Sequence, residues 1–130
     1  MTAKYNKLFK EWIVKAQDDE AAAKTLLKEK VSFGVSCFLS QQVAEKSLKA
    51  FLVANNKEFP KIHQIERLIG LCADINQDFK KFGEDAVILT EFYIESRYPA
   101  DAPEGFTEAD AEQAFEIATN IKNFVINILL

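Results

Sequence analysis

The chain has 130 residues, of which 48% are hydrophobic and 28% are charged, and its formal net charge is −4. This length and composition predict a single soluble globular domain over residues 1–130, large enough to bury a core of its own. The acidic balance argues against a free-standing RNA or DNA binder, which normally has a strong basic excess.

The charge is unevenly distributed between the two halves of the chain. Residues 1–60 contain 10 Lys against 7 acids, a balance of +3, whereas residues 61–130 contain 6 basic side chains against 13 acids, a balance of −7. The lysine-rich half is therefore either an ordinary solvated helix surface or a local basic face, and the sequence leaves both interpretations open.

The cysteines and the hydropathy pattern bear on the expected cellular location of the protein. Cys37 and Cys72 lie on separate apolar segments without the spacing of a disulfide framework or a metal site. Lysines and acids interrupt the first thirty residues, so no secretory segment is expected there. The longest apolar stretch, residues 124–130, is too short to cross a bilayer. We expect two buried thiols, a cytoplasmic location, no membrane contact and, without a phosphate loop or metal-ligand cluster, no cofactor.

Apolar residues recur at helical spacing along the whole chain, and only four Gly and three Pro interrupt them. The pattern predicts five helices, which span residues 4–30, 35–55 after a break at 32–34, a segment containing 65–72, 84–97 and 108 to near the end. The stretch 74–83 is ambiguous and fits a loop with a short turn. Pro99 should stop the fourth helix, and Thr107 with Asp110 resembles an acidic capping box for the fifth.

The end of the fifth predicted helix is apolar on almost every face. A helix that is apolar all round must be buried all round. At the end of a chain of this size, either a homodimer interface or a place within the core would provide that burial.

The most distinctive pattern is a narrow polar stripe on the second predicted helix. Gln42, Glu45, Lys46 and Lys49 recur at i, i+3, i+4 and i+7, so they share one face of a helix that is otherwise mostly apolar or small. At ~100° per residue the stripe covers only about 100° of the circumference. We therefore expect a central helix whose stripe faces solvent, an internal ion-pair network or a polar cleft.

Three further residues could complete such a cleft. Arg97, at the predicted end of the fourth helix, either offsets the helix dipole or offers a planar donor fork to phosphate. His63, the only histidine, follows Pro60 and is either structural or an acid/base group. Asp19 lies on the apolar side of the first helix, where a carboxylate needs a partner such as Lys46 or Arg97.

Taken together, these segments resemble one known family. The resemblance rests on Trp12, Ala16 and Asp19 in the first helix, and on residues 41–52 (QQVAEKSLKAFL), 60–65 (PKIHQI) and 93–99 (YIESRYP). In this order they are similar to the HEPN family, the higher eukaryotes and prokaryotes nucleotide-binding domain, over nearly the whole chain. The resemblance implies an all-α, up-and-down helical bundle that is often homodimeric. Many prokaryotic members are encoded beside a minimal nucleotidyltransferase, in some cases as a toxin–antitoxin module.

Other members of that family are metal-independent ribonucleases, whose site is an Arg followed by a His after four to six residues. Counting back from His63, the permitted positions hold Glu58, Lys57 and Asn56. Counting forward from Arg97, no His stands at the permitted spacing. Because Lys lacks the bidentate donor fork of Arg, this departure argues against ribonuclease activity.

The favoured hypothesis is a non-catalytic partner of a minimal nucleotidyltransferase that binds a nucleotide or another polyanion. RNA is not the expected ligand, and no membrane contact is expected. The cleft residues in this hypothesis are Gln42, Glu45, Lys46, Lys49, His63, Arg97 and Tyr98, supported by Asp19. Lysines and Arg97 would neutralise phosphate, Tyr98 would stack on a base, and Gln42 or Glu45 would bond to ribose or base edges.

Two alternatives stay open. One is a ribonuclease in which Lys57 or Arg97 replaces the missing Arg and His63 is the acid/base. The other is a pure dimerisation or scaffold module, in which the stripe is an internal ion-pair network without a ligand.

Overall fold

Five α-helices make up most of the chain in a computed structural model that describes residues 4–59, 61, 64–97 and 105–130, with the backbone alone over 93–97. The helices are α1 (Phe9–Glu29), α2 (Phe33–Ala54), α3 (Ile65–Ile75), α4 (Gly83–Arg97) and α5 (Glu108–Leu129). A 3₁₀ segment, Gln77–Phe82, precedes α4. No strand occurs in these described ranges, and the predicted all-α helical bundle is confirmed.

Helix α2 is the centre of the bundle. It packs against α1, α5, α4 and α3, and 14 of its 22 residues are buried. Small residues at its interface with α1 allow the two backbones to approach closely, and the buried Ser36 hydroxyl donates to the Ala23 carbonyl oxygen of α1 (3.1 Å). The narrow polar stripe had predicted such a central position, since every other face of α2 is covered.

The helix boundaries follow local backbone chemistry. α1 ends at Lys30, whose φ of 56° places it in the left-handed region, and its N–H bonds to the carbonyl oxygens of Leu26 and Leu27. α5 begins with the capping box that the sequence predicted. The Asp110 N–H donates to Thr107 Oγ1 (3.1 Å), and the Thr107 N–H donates to Asp110 Oδ2 (3.0 Å).

Two predicted boundaries were wrong. The first helix begins at Phe9 rather than at residue 4, because Asn6 diverts the chain: its side-chain oxygen accepts the Leu8 N–H (3.0 Å), and its own N–H donates to the Ala54 carbonyl oxygen (2.9 Å). The second helix begins at Phe33, inside the break expected at residues 32–34, because the chain turns at Ser32, whose φ of 50° lies in the left-handed region. The stretch after α3, which the sequence left ambiguous, forms a 3₁₀ segment that buries Phe79 and Phe82 in the core.

The apolar end of α5 is partly covered from within the chain. Ile121, Val125 and Leu129 are buried, and the Phe124 ring packs against the rings of Phe79 (4.9 Å between centroids) and Phe82 (5.2 Å). The 3₁₀ segment thus supplies part of the burial that this helix requires. None of the helices in the described chain is long and apolar enough to cross a membrane.

Candidate functional site

The inner end of the polar stripe is a buried hydrogen-bonded chain. Lys49 Nζ donates to Glu45 Oε2 (3.0 Å), and the two residues are only 7% and 4% exposed. Gln41, also fully buried, donates from Nε2 to Glu45 Oε1 (3.4 Å) and accepts from Gln42 Nε2 (2.8 Å). A buried ion pair is tolerated only where further hydrogen bonds satisfy its atoms, and Gln41 supplies one of them here.

Two aromatic rings enclose the Lys49 ammonium. Its Nζ lies 5.2 Å from the Phe59 ring centroid and 5.8 Å from that of Trp12. The two rings pack edge to face, with centroids 5.7 Å apart. Both distances lie within cation–π range, so Lys49 is held by Glu45 and by two ring faces at once.

The outer end of the stripe is an ion pair between two helices. Lys46 Nζ donates to Asp19 Oδ2 of α1 (2.5 Å), and the two side chains are 24% and 18% exposed. Asp19 thus has one of the two partners that the sequence had suggested for it. Water reaches this pair, whereas the Lys49–Glu45 pair is almost sealed.

The charges of the described stripe and of Asp19, taken together, balance. Two ammonium groups, on Lys46 and Lys49, face two carboxylates, on Asp19 and Glu45, so the net charge of the four is zero. A phosphate bound here must therefore compete with a carboxylate for an ammonium group. Of the two pairs only the outer one is exposed enough for such competition.

Comparison with known proteins shows which family has this architecture. The HEPN domain family model matches residues 9–129. The chain belongs to the HEPN domain family. A crystal structure of TT1696 from Thermus thermophilus superposes with a TM-score of 0.79 at 29% identity, covering 92% of this chain and 96% of that one. ST0689, an archaeal HEPN homologue, superposes with a TM-score of 0.76 at 30% identity, covering 94% of this chain and 98% of its own. Among curated proteins, none matches the chain significantly.

Some candidate residues of this HEPN domain lie outside the described structure. His63 and Tyr98 are outside the described residues, as is the side chain of Arg97, whose backbone ends α4. Lys57 is exposed just beyond α2, where its N–H bonds to the Leu52 carbonyl oxygen (2.9 Å). Of the predicted cleft, the structure therefore brings together the α2 stripe and Asp19.

Three residues of this HEPN domain contact the stripe but were not among the cleft residues predicted from the sequence: Gln41, Trp12 and Phe59. Gln41 stands four residues before Glu45, and this i, i+4 spacing could have predicted their contact. Trp12 and Phe59 lie 47 positions apart in the sequence, so their shared contact with Lys49 had no local indication. Within the described part of the HEPN domain, no group of three or more His, Cys, Asp or Glu residues could hold a metal ion.

Proposed function

We propose that this HEPN-domain protein is a non-catalytic partner of a minimal nucleotidyltransferase, in a toxin–antitoxin-type module, and that it binds a nucleotide or another polyanionic group at the α2 stripe. The observation that supports the binding site is the partly exposed Lys46–Asp19 pair at the outer end of the stripe. The partner, and a homodimeric state, are proposed from the family resemblance.

A partly exposed ion pair is easily replaced. Because water reaches both side chains, an incoming phosphate can take the place of the Asp19 carboxylate at the Lys46 ammonium with a smaller loss than at the sealed Lys49–Glu45 pair. Gln42, half-buried beside the pair, offers an amide to a ribose or base edge. In this proposal Arg97 adds a bidentate grip on phosphate, Tyr98 stacks on the base and His63 lies at the same cleft.

The inner pair has a different role in the proposal. Lys49 is enclosed by Glu45, Trp12 and Phe59, so moving its ammonium toward a ligand would break a buried ion pair and two cation–π contacts. Lys49 and Glu45 therefore support the site by fixing the face of α2 on which Gln42 and Lys46 lie. Ligand contact falls to the outer two residues.

Calorimetric titration with ATP, GTP and inorganic pyrophosphate tests the binding site. Lys46→Met should weaken binding about tenfold, since it removes a charge-assisted contact to phosphate. Asp19→Asn should strengthen binding, because it removes the carboxylate that competes with the ligand for Lys46. Lys24→Met, at an exposed lysine of α1 outside the stripe, serves as the matched control and should leave binding unchanged.

A titration without heat would contradict the proposed binding site. If the folded protein shows no heat with any of these ligands at about 1 mM, the nucleotide part of the proposal is wrong. Copurification of the chain with a coexpressed minimal nucleotidyltransferase tests the partner separately, and sedimentation measures the oligomeric state.

A scaffold role is the second candidate, and the charge balance of the stripe favours it. Both lysines of the described stripe already have a carboxylate partner within the chain. Under this alternative, Lys46→Met and Asp19→Asn change the stability of the bundle and leave every ligand titration flat. The response of binding to Asp19→Asn therefore separates the two candidates.

A further inference from the structure

A groove lies at the end of the bundle where α1 begins and where α2 and α5 end. It has two lobes, with volumes of about 380 Å³ and 560 Å³, and both lobes are lined by Lys4, Tyr5 and Ile128. We call it the basal groove. Neither lobe is lined by any residue of the polar stripe, so the groove is a separate feature of the molecule.

The smaller lobe is strongly basic. Lys4, Lys7 and Lys10 line it at intervals of three residues, and its described lining contains no acidic side chain. The larger lobe adds one carboxylate, that of Asp78. Three lysines without an acidic side chain in the smaller lobe, on a chain whose net charge is −4, form a local excess of positive side chains that favours an acidic partner.

The stability of α1 does not explain these lysines. Lys7 precedes α1 and Lys10 lies in its first turn, where cations oppose the helix macrodipole. They do lie near the end of α5, whose last turn has no basic residue of its own, so a purely structural benefit to α5 is the alternative to be tested.

Apolar side chains line the smaller lobe beside the lysines. Ile128 is partly exposed and Leu130 is 79% exposed, whereas Phe9 and Leu129 are almost fully buried. Leu8, between Lys7 and Phe9 in the sequence, is 55% exposed. Exposed apolar side chains rimmed by like charges indicate a surface for an amphipathic partner rather than a solvated edge.

We propose that the basal groove docks an acidic amphipathic segment of a protein partner. The apolar side chains of that segment contact Ile128 and Leu130, and its carboxylates pair with Lys4, Lys7 and Lys10. A nucleic acid fits less well, because its phosphate backbone gains nothing from the apolar side chains of Ile128 and Leu130. The proposal does not depend on the binding site at the stripe.

Fluorescence anisotropy of the full chain with a synthetic peptide tests this proposal. The probe has about 14 residues, with Leu on one helical face and Glu on the other. The double variant Lys7→Glu/Lys10→Glu should weaken binding about tenfold or more, since two attractions become repulsions. Lys24→Glu/Lys28→Glu, on the same helix outside the groove and with the same change of net charge, should leave affinity within about twofold.

Further controls test whether the variant is still folded and whether binding depends on the helical pattern of the peptide. Lys7→Gln/Lys10→Gln removes the two charges without reversing them, and it should give an intermediate affinity with an unchanged circular dichroism spectrum. A peptide of the same composition with its helical pattern scrambled should bind about tenfold more weakly. Raising the salt concentration from about 0.05 M to about 0.3 M should weaken the binding of the amphipathic peptide to the wild-type chain.

Several results would overturn the proposal. They are absence of peptide binding up to about 1 mM, equal loss in the groove and control variants, and equal affinity for the scrambled peptide. Tighter binding of a single-stranded RNA oligomer through the same lysines would assign the groove to nucleic acid instead. Self-association that depends on Lys7 and Lys10, without peptide binding, would assign it to a second copy of the chain.

Discussion

Lys46 and Lys49 stand three residues apart on α2, and their surroundings differ sharply. The Lys46 side chain is 24% exposed and bonds across to α1, whereas that of Lys49 is 9% exposed and bonds within its own helix. Low dielectric strengthens the buried pair but makes either partner costly when left alone. The partly exposed Lys46–Asp19 pair has water as an alternative partner. The same residue type therefore has a replaceable contact at one position and a fixed one at the other.

We predict a large difference between the two pairs in unfolding experiments. Lys49→Met, or Glu45→Gln, removes one charge of a buried ion pair and should lower the free energy of unfolding by about 3–5 kcal/mol. The double variant should cost less than the sum of the two single changes, because it removes both charges of the pair together. Urea unfolding of both single variants and the double variant measures this coupling.

The outer pair is the matched control for that cycle. Lys46→Met and Asp19→Asn should each cost less than either change at the inner pair, because water can solvate the charge that remains. Equal costs at the two pairs, or simple additivity at the inner pair, would show that burial does not distinguish them.

At the scale of an element, the glycines within helices show how packing modifies helix propensity. Gly34 lies in the first turn of α2, where a Cβ would stand 3.1 Å from Cδ2 of Phe106, the residue that precedes the cap of α5. Gly70 lies on an exposed face of α3, and a Cβ there would meet nothing within 4 Å. Both glycines weaken their helices by leaving the unfolded backbone more freedom. Only Gly34 provides space for a neighbouring element.

Alanine at these two glycines should therefore act differently. Gly70→Ala should raise the free energy of unfolding by about 0.5–1 kcal/mol, since it gains helix propensity without a clash. Gly34→Ala should gain less than Gly70→Ala or become destabilising, because Phe106 must shift to admit the methyl group. Thermal and urea unfolding of the two variants give the comparison, and an equal gain at both positions would contradict the contact with Phe106.

For the whole molecule, the burial of Cys72 between α3 and α2 makes the stability of the bundle depend on pH. Cys72 of α3 is fully buried against α2, and its thiol lies 3.6 Å from the Leu48 carbonyl oxygen. Burial raises the pKa of the Cys72 thiol well above its ordinary value. In the folded state the thiol therefore keeps its proton in alkaline solution, whereas the unfolded chain releases it above about pH 8.5.

The sign of the resulting pH dependence follows from proton linkage. Above the ordinary thiol pKa the unfolded state binds fewer protons than the folded state, so the free energy of unfolding decreases as pH rises, by up to about 1.4 kcal/mol per pH unit. Cys72→Ala should be less stable at neutral pH because of its cavity, but its stability should decline less steeply between about pH 9 and 11. Parallel declines in the variant and the wild type would show that Cys72 does not contribute.

The sequence by itself determined those features that depend on local spacing. The 3.6-residue period of apolar positions predicted five helices, the narrow stripe predicted a central α2, and Thr107 with Asp110 predicted a cap that the structure contains. The residues shared with the HEPN family predicted its membership, which the family model confirms. Such features are encoded within a few turns of one helix, so they can be read without knowing what packs where.

Only the tertiary structure decided which polar residues meet, and how far water reaches them. Asp19 and Lys46 are 27 positions apart, and the rings around Lys49 come from α1 and from the segment after α2. Their contacts depend on how whole helices are docked, and no local pattern specifies that docking. The exposure that separates Lys46 from Lys49 likewise arises from the helices that cover α2. It is a property of the assembled bundle, because both lysines share one face of one helix in the sequence.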